Sequence, residues 1–210
     1  MENTDHLLSL ERYSQKEIQV FEGVLSLLAS GGDLHALKVS DIATAAGIGK
    51  GTVYEYFKSK EEIIENTVVY KLSVEFSRAE EVLAAGLSFR DSLDRLLDIA
   101  AGVFNREAPS LWSLARMAMV RQTEPGFCHA LPAELPRRIG AQVEKICDTL
   151  LGVGVREGVL RAQEDGAFSR FVFRAAFSAF VELRGPGPGA LPGADAAKDN
   201  ARRLLVQALG

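Results

Sequence analysis

Residues 38–64 read KVSDIATAAGIGKGTVYEYFKSKEEII, and the fold turns on the glycines at their centre. On one side, Ser40 to Ala46 is a short helical stretch, and on the other Lys50 to Phe57 is a second. Between them Gly47-Ile48-Gly49 breaks the pattern. A helix that stops and turns at once needs a left-handed residue, and Gly47 supplies one without a Cβ penalty. Two short helices joined in this way form a helix-turn-helix. Ile42, Ala43 and Ala46 face inward from the first, Ile48 plugs the turn, and Val53 and Phe57 face inward from the second.

The outward side of the second helix is then Lys50, Gly51, Thr52, Tyr54, Glu55 and Tyr56. Lys50 and Thr52 are the right types to reach base edges in a major groove, and Tyr54, Tyr56, Lys58 and Lys60 can donate to phosphates. Lys38 to Lys60 holds four lysines against Asp41 and Glu55, a local excess of two positive charges on a chain whose net charge is −4. Any nucleic-acid contact is therefore local and specific, since the chain as a whole is not basic.

Outside this stretch, apolar residues recur at steps of three and four, with no sustained two-residue alternation bounded by hairpin signals. The chain is expected to be all-α, with about nine helices. Before the motif, Ser14 to Ser30 carries Ile18, Phe21, Leu25 and Leu28 on one face, and Gly31-Gly32 ends it. After the motif, Ser59 and Glu62 have the spacing of a capping box. That box opens a long helix to about Ala85 with Ile64, Val68, Leu72, Phe76, Ala79 and Leu83 on its face. Further helices are expected at Ser88–Asn105, Pro109–Met119, Pro132–Glu157, Asp165–Leu183 and Asp195–Leu209. The glycine- and proline-rich tract from Gly185 to Gly193 is a loop.

Asp41-Ile42-Ala43, Ala46-Gly47, Lys50-Gly51-Thr52, Tyr54, Tyr56-Phe57 and Ser59-Lys60-Glu61 together resemble the signature of the TetR family of repressors, over roughly Gln15 to Ile64. The resemblance implies a three-helix DNA-binding head over residues 1–62 and a helical effector-binding and dimerisation body over 63–210. It implies a homodimer that reads a palindromic double-stranded DNA operator and is released by a small-molecule effector. It assigns Tyr54 and Lys60 to phosphates, Lys50, Gly51 and Thr52 to base edges, and Tyr56 to the groove wall. The sequence departs from the family pattern twice, with Lys38 where a capping threonine is usual and Gly49 where a serine is usual.

An effector pocket is expected to be mostly apolar with a few polar anchors, and the candidates are Phe104, Trp112, Arg116, Met119, Phe127 and Phe177. Phe168, Phe171, Phe180, Leu204 and Leu205, on the last two helices, are candidates for a dimer interface, because a helix apolar on several faces is buried on several faces. The alternatives are an all-helical enzyme or a protein-interaction module with an incidental helix-turn-helix. His6, His35 and His129 are scattered and no catalytic arrangement is evident, so no enzyme is expected. Neither a cofactor nor a metal is expected: Cys128 and Cys147 match neither a zinc nor a redox spacing. Met1 to Leu10 does not read as a signal peptide and no stretch is long and apolar enough to span a bilayer, so a cytoplasmic location is expected.

Overall fold

The computed structural model describes residues 8–34, 36–103, 134–184 and 193–210. These form a short 3-10 turn, Leu10–Arg12, and eight α-helices: α1 Gln15–Ala29, α2 Val39–Ala45, α3 Lys50–Tyr56, α4 Lys60–Ala84, α5 Phe89–Val103, α6 Leu135–Arg156, α7 Gly166–Arg184 and α8 Ala194–Leu209. No strand occurs among the described residues. The helix expected at Pro109–Met119 lies outside them. No helix among the described residues is long and apolar enough to cross a membrane.

The helices divide between two compact units. In the first, which holds the chain up to Glu75 together with residues 134–139, α1 is the central element. Ser14 opens it with a full capping box: its hydroxyl accepts from the Glu17 amide, and Glu17 in turn accepts from the Ser14 amide at 2.8 Å. Its buried stripe is Val20, Phe21, Val24 and Leu28, with Gly23 between them. This corrects the expected face, for Ile18 and Leu25 are only half-buried. Gly23 explains the rotation. A Cβ there would stand 2.9 Å from the Ala46 amide nitrogen and 3.1 Å from the Ile42 carbonyl, so the bare backbone of α1 seats α2 against it.

An aromatic cluster closes this unit. Phe21 meets Tyr13 edge-on at 4.9 Å, Phe57 at 5.6 Å and Tyr70 at 5.3 Å between ring centres. Such pairs contribute about 0.5–1.5 kcal/mol each beyond burial. Tyr70 also donates its hydroxyl to Glu22 at 2.7 Å. The sequence places one apolar face on α4, but Ile63, Ile64, Thr67, Val68, Val69, Tyr70, Leu72 and Ser73 are all buried, which takes in every side of the helix there. Thr67 and Ser73 make this possible by returning their hydroxyls to the carbonyls of Ile63 and Val69 at 2.7 and 2.8 Å.

The second unit holds Phe76 to residue 103 and Gly140–Gly210. Its α5 starts on the end of α6, where the Glu157 carboxylate accepts the Phe89 amide with both oxygens at 3.1 and 3.0 Å. Gly158, at φ +71°, ends α6 where the sequence pattern stops. An ionic ladder joins α5 to α8: Arg202 reaches Asp94 at 2.6 Å, and Lys198 pairs with Asp98 one turn along. The matched steps, rising on one helix and falling on the other, make the two antiparallel.

Helices α7 and α8 pack on each other through Val172, Phe173, Ala176 and Phe180 from one side and Ala197, Ala201, Leu205 and Leu209 from the other. Val172 and Phe180 point inward, whereas Phe168, Phe171, Ala175 and Ala179 lie on an exposed strip.

Candidate nucleic-acid interface

The turn between α2 and α3 is built as its glycine predicts. Gly47 has φ +67°, the Gly47 amide donates to the Thr44 carbonyl at 3.1 Å, and the Ile48 amide reaches the Ala43 carbonyl at 3.0 Å. These two bonds satisfy the carbonyls left open at the end of α2. Ile42 and Ala43 are buried as expected, and Ala46 and Ile48 are half-buried.

Both departures from the family pattern have a local consequence. Lys38 and Gly49 are the N-caps of α2 and α3, both in extended backbone, and neither supplies a side-chain capping bond. The first turns of these helices thus keep free amides. A Cβ at Gly49 would meet only the Thr52 hydroxyl, at 3.8 Å, so space is not what holds a glycine there.

Helix α3 has one anchor, Val53, fully buried, and Phe57 after its last turn is 2% exposed. Every other side chain on α3 is left outside the core. Tyr54 is 51% and Tyr56 40% exposed, Lys50, Gly51 and Glu55 are exposed, and Thr52 is half-buried. At about 100° per residue, Thr52 and Tyr54 flank the outward pole, while Lys50 and Tyr56 sit lower on the flanks, about 60° from Val53. Gly51 and Glu55, about 160° from Val53, form the outermost row. The Lys50 ammonium lies 5.9 Å from the centre of the Tyr54 ring, within the range of a weak cation–π contact.

The link from α3 to α4 differs in one bond from the expected capping box. Ser59 accepts from the Glu62 amide at 3.1 Å, but the Glu62 carboxylate takes the Lys58 amide, at 2.6 Å, in place of that of Ser59. The bond fixes the backbone at Lys58, so Lys58 and Lys60 flank a braced corner directly after α3.

The other candidate residues are divided between the second unit and the segments outside the described residues. Phe104, Trp112, Arg116, Met119 and Phe127 lie outside. Phe177 is half-buried and stacks on Phe173, with ring centres 6.2 Å apart. Phe168 is 46%, Phe171 68% and Leu204 40% exposed, whereas Phe180 and Leu205, at 1% each, belong to the core of their own chain. Cys147 is buried, which pushes its thiol pKa up to about 12. The described residues contain no group of three or more metal-ligating side chains.

A short recognition helix held by one apolar anchor, with lysines, a threonine and tyrosines on its open side, defines a helix-turn-helix DNA-binding protein. Residues 27–67 match the family model described as bacterial regulatory proteins, tetR family. A fatty acid metabolism regulator protein of Bacillus subtilis is 27% identical over 158 residues, which is 74% of this chain and 76% of that protein. The transcriptional repressor KstR2 of Rhodococcus jostii is 34% identical over 84 residues, 40% of this chain and 41% of that one. The crystal structure of the regulator FadR from Bacillus subtilis in complex with stearoyl-CoA superposes with a TM-score of 0.60 at 20% identity, covering 92% of this chain and 99% of that chain. The chain carries, at residues 27–67, the DNA-binding region of the TetR family. It is a DNA-binding transcriptional regulator of the repressor type, not an enzyme.

Proposed function

We propose that the chain acts in the cytoplasm as a homodimer that represses transcription from a palindromic operator until a small molecule releases it. The observation that carries this reading is the exposed face of α3 on a packed α1–α2–α3 head; we assign Lys50 and Thr52 to base edges and Tyr54, Tyr56 and, just beyond α3, Lys60 to phosphates. One such helix reads too few base pairs to be selective, and a two-fold pair reads twice as many. In this assignment residues 1–62 form the reading head and 63–210 the effector-binding and dimerising body.

The dimer surface is the outer strip of α7, Phe168, Phe171, Ala175 and Ala179, with Leu204 of α8. Phe180 and Leu205 shape that surface from behind. Phe171 alone is worth about 1.5–3 kcal/mol if a second copy covers it fully. Self-complementary contact between identical strips closes a two-fold pair without leaving an open edge.

For the effector, the names of the Bacillus relative and of the stearoyl-CoA complex favour a fatty acyl thioester, and its acyl chain suits an apolar pocket with the charged end held by cations. The test is a mobility-shift assay on the DNA upstream of the chain's own gene, with stearoyl-CoA and shorter acyl-CoAs added stepwise. A discrete shifted band that dissolves at micromolar acyl-CoA, but not with CoA alone, is the expected result. A band insensitive to all of them removes the effector assignment, and no band removes the operator reading.

A further inference from the structure

The outermost row of α3 contains one side chain, and it is an acid. Gly51 and Glu55 lie opposite the buried Val53, and glycine leaves the space beside Glu55 open. Among the described residues Glu55 makes no ion pair or hydrogen bond. Among the described residues nothing neutralises it on the very face that the operator reading turns toward polyanionic DNA. A carboxylate there is repelled by phosphates and by the acceptor edges of guanine and of thymine. The compensating partner in a major groove is an exocyclic amine, and the cytosine N4 amine is the donor that a glutamate accepts from.

We propose that Glu55 is a specificity-determining residue that selects cytosine at one position of each half-site. The inference rests on the operator reading above. Thr52 and Tyr54 flank Glu55 on either side of the outward pole, so the acid stands between a base-edge candidate and a phosphate candidate. The lysines and tyrosines provide attraction to any duplex. Glu55 subtracts from that attraction wherever the base edge presents only acceptors. Its contribution is therefore discrimination and not affinity.

The test is selection from a duplex library with a randomised core, carried out on the full-length protein, on Glu55→Gln and on Glu55→Ala. Both substitutions fall at an exposed position that supports no packing, and unchanged melting curves check this. Wild type is expected to enrich cytosine at one position in each half-site, by about 5-fold to 100-fold over guanine or thymine, the range of a good base contact. Glu55→Ala should flatten the preference at that position alone and bind non-specific duplex more tightly. Glu55→Gln should move the preference toward adenine, whose N6 and N7 a glutamine reads as a pair. Enrichment by wild type with the same preferences retained in both variants overturns the proposal while leaving the operator reading intact. If wild type enriches no sequence, the operator reading falls and this inference falls with it.

Discussion

Replacing Gly23 by alanine sets two effects of known size against each other. Inside a helix the change removes backbone freedom from the unfolded chain and gains about 1 kcal/mol. At this site, however, the new methyl would stand 2.9 Å from the Ala46 amide nitrogen, 3.1 Å from the Ile42 carbonyl oxygen and 3.2 Å from the Ala46 Cα. All three are backbone atoms of α2 and its cap, so no side chain can swing aside, and α2 must lift from α1. Overpacking of this kind costs about 1–3 kcal/mol, and contact with rigid backbone places it toward the upper end. The expected net loss is about 1–2 kcal/mol, which for a chain of this size lowers the melting temperature by roughly 2–8 °C. Because α2 carries the turn to α3, DNA affinity should also fall. Gly152→Ala is the control: its Cβ would meet only the flexible end of Arg156, at 3.5 Å, and should raise the melting temperature. The assay is thermal unfolding of both variants beside wild type, followed by DNA titration. Equal stabilisation by the two substitutions would refute the close approach of α1 and α2.

Lys60→Ala should weaken binding to every duplex alike and lower the slope of log affinity against log salt by about one unit, as measured by fluorescence anisotropy at several salt concentrations. Lys38→Thr should stabilise the head by about 1 kcal/mol in urea unfolding, because threonine gives α2 the capping bond that the lysine lacks. Phe171→Glu is expected to shift the protein from dimer to monomer in sedimentation while leaving its helical content unchanged, whereas Leu205→Glu should unfold the second unit. Burial raises the Cys147 pKa from 9.0 to about 12, so the folded state holds that proton more tightly than the unfolded chain does. This contribution to stability is complete below about pH 9 and is lost as the pH rises from there toward 12; an alkaline titration of unfolding should show the decline, and native Cys147 should resist alkylation at pH 8.

The helix-turn-helix was legible because its determinants are local. Gly47 alone sets the turn, and Ile42, Ala43, Val53 and Phe57 follow from helical period once that turn is placed. Features that depend on a second element were not. The face of α1 was misjudged because a glycine counts for nothing in an apolar pattern, although here it is the point of contact with α2. The Glu157 cap on α5 joins residues 68 positions apart, and no local pattern announces it. On α7 the surplus of phenylalanines was readable, but which of them face α8 and which face outward depends on where α8 packs. The candidate DNA contacts and the outward place of Glu55 follow from type and spacing, and the burial of Val53 agrees with that reading, whereas the lack of a partner for Glu55 among the described residues is visible only in the structure.

The central claim is that two copies of α3 read one operator. Hydroxyl-radical footprinting on the bound upstream duplex tests it most directly. Two protected patches related by two-fold symmetry, with centres about one helical turn or a small multiple of it apart, roughly 34–36 Å per turn, are the expected result. A single patch, or protection without two-fold symmetry, would contradict the account.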